Sequence, residues 1–225
     1  MAITYQLDGS IATIAMDDGK MNALSFDVFT ELGAAFDRAE ADRAAVVLAG
    51  RAGAFSAGFD LKILGSGGAD AKRLVLAGFE LASRVFAFPA PVVAACTGHT
   101  IAMGAFLALA ADVRVGALGP FKVGANEVAI GLVMPYFALE LSRHQLAPTY
   151  FHRAMTTAEM FAPSEAVTAG FFDRVVPADE VQATARTVAE QLAKLGRSVF
   201  AATKLRARAR GIEALRAAID ADAHA

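Results

Sequence analysis

The sequence predicts an α/β fold on three observations. Short apolar runs of strand length alternate with longer segments whose apolar residues recur at helical spacing. Glycine-bearing loops join the two kinds of segment, and the last third of the chain is patterned almost entirely as helix. At 225 residues and 56% hydrophobic, the chain suits one large domain, or a domain with a small appendage, and is too apolar for disorder.

Taken in order, Ile3 to Leu7 and Ile11 to Met16 alternate around Asp8-Gly9, which reads as a hairpin. Ser25 is placed to cap a helix whose apolar face is Val28, Leu32, Ala35 and Phe36. AVVLA (Ala45 to Ala49) has the pattern of a buried strand, and the loop GRAGAFSAG follows it. GSGGAD (Gly65 to Asp70) reads as a flexible surface loop, and residues 70–88 as a helix that stops before Pro89 and Pro91. PVVAA (Pro91 to Ala95) is a second buried strand, followed by a loop into a small-residue helix. Asp112 to Val115, Phe121 to Val123 and Asp173 to Val176 are shorter strand candidates, with helical patterning dominant from Leu132 onward. The expected division is a core over residues 1–178 and two amphipathic helices over residues 179–225, which would pack on the core or on a neighbouring subunit.

Composition excludes several classes of function. A net charge of −2 gives no global attraction to nucleic acid or to an anionic membrane. Cys96 is the only cysteine, so neither an intrachain disulfide nor a thiolate metal cluster is available. The N-terminal MAITYQLDGS reaches an acid and a turn before any leader-like apolar run. The most apolar stretch, Ile101 to Ala111, falls well short of the roughly 20 residues needed to span a bilayer. The expectation is a soluble, cytoplasmic protein.

The stretch NEVAIGLVMP (Asn126 to Pro135) raises the question of chemistry, because Glu127 is its one charge. An unpaired buried carboxylate costs several kcal/mol or neutralises itself through a raised pKa. Two loops, AFSAGFDLK (Ala54 to Lys62) and GHTIAMGAF (Gly98 to Phe106), follow strand-like runs and lead toward helices. Unpaired backbone N–H groups at such places suit an anion or a developing oxyanion. Two converging on one oxygen would each contribute about 3 kcal/mol. Taken singly, each glycine is explained as well by a tight turn. Neither loop carries a nucleotide-binding fingerprint.

Together these stretches resemble the crotonase (enoyl-CoA hydratase/isomerase) superfamily. The matching residues are Asn22-Ala23-Leu24, Ala54 to Lys62, Pro91 to Ala111, Asp112 to Arg114, Asn126 to Pro135 and Met155 to Pro177, in consistent order over roughly residues 3 to 210. The resemblance implies a spiral of ββα units with a C-terminal helical region and an acyl-CoA thioester substrate. It also implies a homotrimer or hexamer, and no cofactor beyond the coenzyme A that the substrate carries. It assigns the oxyanion-hole N–H groups to Phe59 and Met103. The triplet Ala102-Met103-Gly104 replaces two family glycines, so the Met103 side chain is expected to reshape the acyl pocket. Substrate contacts are expected from Ala23, Leu24, Ala57, Gly58, Asp60, Leu61, Ile101, Gly104 and Phe106. Lys204, in the basic stretch KLRARARG, is the candidate for CoA phosphates, with a solvated helix face as the default reading of that stretch.

A hydratase of this family uses two glutamates on one water. One matches Glu127, and the position of the other is Phe106, with no carboxylate between Gly98 and Ala111. A lone carboxylate against an apolar wall suits a proton shuttle, and the run with proline eight residues after the glutamate resembles the Δ3,Δ2-enoyl-CoA isomerase branch. Three readings therefore stand: an isomerase with Glu127 as acid/base, a hydratase holding its water in another way, and a non-catalytic acyl-CoA-binding protein. For Glu127 the structural alternative is a carboxylate capping the helix near Leu132. His99, His144, His152, His224, Cys96, Asp60 and Asp112 are read as structural or surface residues, with no metal-ligand spacing among them.

Overall fold

The computed structural model describes residues 2–225; Met1 of the N-terminal stretch lies outside the described residues. Strands β1 (Ile3–Asp8) and β2 (Ile11–Met16) form the expected antiparallel hairpin, with Gly9 at positive φ in its turn. Helix α1 (Phe26–Ala41) follows, its N-terminus closed by the Ser25 side chain accepting the Val28 N–H. It returns the chain to β3 (Ala45–Ala49), which lies parallel to β2.

From β3 the chain climbs as a spiral in which each turn feeds two sheets. β3, β5 (Val92–Cys96), β7 (Val113–Ala117) and β9 (Arg174–Val176) enter the larger sheet, whose order is β1-β2-β3-β5-β7-β9. β4 (Gly53–Ser56), β6 (Gly98–Ile101) and β8 (Val123–Gly124) build a smaller parallel sheet in the order β4-β6-β8. Between the turns lie α2 (Leu61–Ser66), α3 (Gly68–Ala87) and α4 (Met103–Leu109). After β8 come a 3-10 turn (Val128–Ile130), then α5 (Tyr136–Gln145), α6 (Pro148–Thr156) and α7 (Pro163–Ala169). Helices α8 (Val181–Ala193) and α9 (Arg197–His224) end the chain.

β3 and β5 are buried at every position, as strands covered on both faces must be. On one face Val46, Leu48, Val92 and Ala94 meet the phenylalanine-rich helices α1, α3, α4 and α5. On the other, Val47, Val93 and Val115 meet Val181, Ala185, Val188 and Ala189 of α8. Burying a valine side chain is worth roughly 1.5–3 kcal/mol, so these contacts suffice to hold α8 on its own chain.

Two expectations are corrected. The segments containing β4 and β6 read as loops because strands of four residues, GAFS and GHTI, carry too little periodicity to detect. GSGGAD is not a loop: α2 runs through Ser66, α3 starts at Gly68, and Gly67 alone separates them. Among the described residues no helix is long and apolar enough to cross a membrane.

Candidate active site

The small sheet delivers the two glycine-bearing loops to one place. β4 ends at Ser56, and Asn22 pins this end: its Nδ2 donates to the carbonyls of Met16, Ala54 and Phe55, and its carbonyl accepts the Ser56 hydroxyl. Leu24 then runs beside the next residues, with its N–H on the Gly58 carbonyl and its carbonyl accepting the Asp60 N–H. Asp60 caps α2 by accepting the Lys62 N–H. Phe59 sits between these pairs, and its own N–H has no acceptor among the described residues.

β6 ends at Ile101, and Ala102 turns the chain directly into α4, whose first residue is Met103. An N–H in the first helical turn has no intrahelical partner, and that of Met103 finds no other among the described residues. The two loops touch. A Cβ on Gly58 would lie 2.9 Å from the Ala102 Cβ and 3.3 Å from the Met103 nitrogen, so only glycine fits there. Gly58 also holds φ at +95°, a conformation that disfavours any side chain. The fold thus sets two unpaired backbone donors on adjoining loops, which is the arrangement an oxyanion needs.

Beside these loops lies a cleft of about 320 Å³. Ala57, Phe59, Leu61, Ala102 and Phe106 line it from the donor side, and Leu64, Val75 and Phe79 from α2 and α3. Asn126, Glu127, Ile130, Leu132, Val133 and Pro135 complete the wall. Phe79 is held by rings behind it, stacking on Phe137 at 4.6 Å and meeting Phe59 edge-on at 6.4 Å.

Glu127 is the only titratable residue of the cleft lining. It is 8% exposed, has no ion-pair partner among the described residues, and its buried Oε2 accepts no hydrogen bond. Burial raises its pKa above the ordinary carboxylate value, opposed in part by the backbone N–H groups of Glu127 and Asn126. The capping alternative is not what the structure holds. Glu127 makes no side-chain cap on the 3-10 turn, and α5 is capped from α9, where Asp222 accepts the N–H groups of Tyr136 and Phe137 at 2.9 Å each.

The sequence-predicted residues separate into three groups. Ala57, Phe59, Leu61, Phe106 and Glu127 come together around the cleft. Leu24, Gly58, Asp60, Ile101 and Gly104 lie one layer back, where they hold the two loops, and Ala23 borders a small crevice with Leu24 and Asn22. Met103 is split: its N–H stands at the donor position, but its side chain is fully buried in the core, so it does not shape the pocket as expected. The methyl of Ala102 occupies that place instead.

Lys204 is the clearest correction. It is buried, and its Nζ pairs with Asp112 Oδ2 at 2.8 Å, far more enclosed than a phosphate ligand on an open helix face would be. Burial lowers its pKa to about 8 despite the neighbouring carboxylate. Arg208, one turn later, joins the same carboxylate at 3.1 Å and donates to the carbonyls of Phe86, Ala110 and Ala111. Asp112 also accepts the Val92 N–H, in line with its expected role at a strand start. His144 and His152 are exposed, and Cys96 is a core residue whose thiol burial pushes up to about 12. The sequence reading missed Asn126, Phe79, Val75, Leu64 and Asp222; for Asn126 the available signal was its place beside Glu127.

The family described as enoyl-CoA hydratase/isomerase matches residues 6–225. The human mitochondrial enoyl-CoA delta isomerase 1 is 30% identical over 186 residues, which cover 80% of this chain and 62% of the human protein. The chain therefore spans less than two thirds of that relative. A solved Mycobacterium tuberculosis enoyl-CoA isomerase superposes with a TM-score of 0.95 at 44% identity, covering 99% of this chain and 98% of that one. An enoyl-CoA hydratase from Mycobacterium marinum does so with the same TM-score at 43% identity and the same coverage. Both reaction names thus occur among structures of equal similarity.

Proposed function

This chain belongs to the enoyl-CoA hydratase/isomerase family, and on that premise we propose that it is an enzyme moving the double bond of a 3-enoyl-CoA to the 2-position. One observation carries the reading: the cleft has a single carboxylate, buried and with a free Oε2, where two would be needed to hold and deprotonate a water in the usual way.

In this reading the Glu127 carboxylate takes a proton from C2 of the 3-enoyl thioester. The electron pair moves into a dienolate whose negative charge rests on the thioester oxygen, facing the N–H groups of Phe59 and Met103. The Glu127 carboxylic acid then returns the proton at C4, leaving the double bond between C2 and C3. A raised pKa suits both halves, since the group must first accept and then release the same proton. Apart from Asn126 and Glu127 the lining is apolar, which favours a hydrocarbon acyl chain and keeps water from the dienolate. No cofactor is needed beyond the CoA of the substrate. Assembly as a trimer or hexamer, and a place in cytoplasmic fatty-acid metabolism, are part of the same proposal and rest on the family resemblance.

Asn126 supports a second reading, hydration of a 2-enoyl-CoA. Asn126 lines the cleft beside Glu127, and its carboxamide could share a water with the carboxylate. Turnover of a 3-enoyl-CoA and a 2-enoyl-CoA by wild type and Glu127→Gln decides between them. Isomerisation that falls by about 10²–10⁴-fold in the variant, without hydration, is the expected result. Hydration that needs Glu127 and is lost in Asn126→Ala would establish the second reading. Silence on both substrates would leave an acyl-CoA-binding protein.

A further inference from the structure

Ala102 is an L residue held in a backbone conformation that belongs to glycine. Its φ of 52° and ψ of −129° bring its Cβ against its own backbone, and such strain persists only where the surroundings enforce it. It lines the cleft, is partly exposed to it, and immediately precedes the donor Met103. Its methyl also marks the contact between the two donor loops, 2.9 Å from where a Gly58 Cβ would stand.

This position bears on the acyl group. A carbonyl oxygen accepting from the N–H groups of Phe59 and Met103 would lie about 2.9 Å from each nitrogen. The carbonyl carbon and C2 then sit within a few ångströms of the Ala102 methyl, which is one peptide unit from the Met103 nitrogen. The long side chains of the wall, such as Leu61 and Leu64, can change rotamer to admit a larger group. The Ala102 methyl has no rotamer to change, and α4 holds the backbone beneath it.

We propose that Ala102 is a specificity-determining residue that excludes acyl thioesters branched at C2, restricting the site to acyl groups with two hydrogens there. The acyl-CoA nature of the ligand is taken from the function proposed above, but the test does not depend on turnover. The first measurement is calorimetric binding of hexanoyl-CoA and 2-methylhexanoyl-CoA to wild type and Ala102→Gly. Wild type is expected to prefer the straight chain by about 10-fold or more, and the variant to lose most of that preference, the scale of one methyl in a closed pocket. Equal binding of the two by wild type, or a preference unchanged in the variant, would overturn the proposal.

The second measurement is kcat/KM for 3-hexenoyl-CoA and 2-methyl-3-hexenoyl-CoA, which keeps the one C2 hydrogen the reaction needs. The branched-to-straight ratio should rise about 10-fold in Ala102→Gly, and an unchanged ratio would count against the proposal. Failure of both proteins on the straight substrate would refute the isomerase reading while the binding comparison still decided the role of Ala102. Folding of the variant is not in question, because glycine adopts this φ without strain and the melting temperature should rise rather than fall.

Discussion

Glu127 and Lys204 are both charged and both buried, yet the fold treats them differently. Lys204 has Asp112 at 2.8 Å, whereas Glu127 has no partner on its Oε2 and stands in a wall whose only other polar side chain is Asn126. The penalty on Glu127 has a definite pH dependence. Its folded pKa is raised from 4.5, so the unfolded chain ionises first as pH rises. Below about that value both states are neutral and nothing is lost; stability then falls until the pH passes the folded pKa, and stays lower above it. Glu127→Gln is therefore expected to be more stable than wild type at pH 7 by about 1 kcal/mol, or roughly 2–4 °C in melting temperature. The gain should shrink to nothing at pH 4, as thermal melts of the two proteins across that range would show. A gain that is constant with pH would mean that the side chain is solvated in the native state. The glutamate stood out in the sequence as the one charge of NEVAIGLVMP, but a helix cap near Leu132 explained it as well until the structure showed no such cap. The lysine was misread because its partner lies 92 residues away and only folding brings the two together.

Helix α9 shows what this non-local pairing does for an element. Its charges do not mark a clean amphipathic face, but Lys204 and Arg208, four residues apart, both grip Asp112 at the junction of α4 and β7, and Asp222 caps α5 from the other end. Three polar anchors thus fix a helix whose apolar burial is concentrated at Leu215, Ala218 and Ile219. Removing one cation leaves Asp112 with the other, so Lys204→Ala should cost less than the 3–5 kcal/mol of a fully broken buried pair, about 2 kcal/mol. Acyl-CoA affinity should not change. A variant of normal stability with weakened affinity would restore the lysine to the phosphate role. Elements of other kinds were unevenly legible too. The larger sheet could be read from AVVLA and PVVAA, whose apolar runs reflect burial on both faces. The smaller sheet, which carries both donor loops, was read only at Val123, the end of the candidate Phe121 to Val123, because β8 has two residues and β4 and β6 four each. The resemblance, through the order of its motifs, implied the spiral of ββα units to which these strands belong.

Across the whole molecule, burial divides the chain into a tightly packed spiral and a loosely held wall. The strands of the larger sheet are covered by α8 on one side and by the phenylalanine-rich helices on the other. The wall from Val128 to Pro135 has only a 3-10 turn for structure and exposes Ile130 by 53% and Val133 by 92%. Across the cleft from it, Leu61 at the start of α2 is 72% exposed. Segments with few buried apolar contacts open locally at much lower free energy than a sheet core, and a ligand that buries them closes that difference. An acyl chain in the cleft would cover these apolar side chains from both sides, at about 25 cal/mol per Å². Hydrogen exchange at labelling times of seconds to minutes, with and without saturating decanoyl-CoA, should therefore slow mainly over residues 57–64 and 126–136. The amides of α8, which face the opposite side of the larger sheet, should be unaffected at these times, since global stabilisation reaches only amides that exchange through complete unfolding. Protection centred on α8 or on the first half of α9 would put the acyl-CoA elsewhere, and the cleft around Glu127 would lose its claim to be the active site.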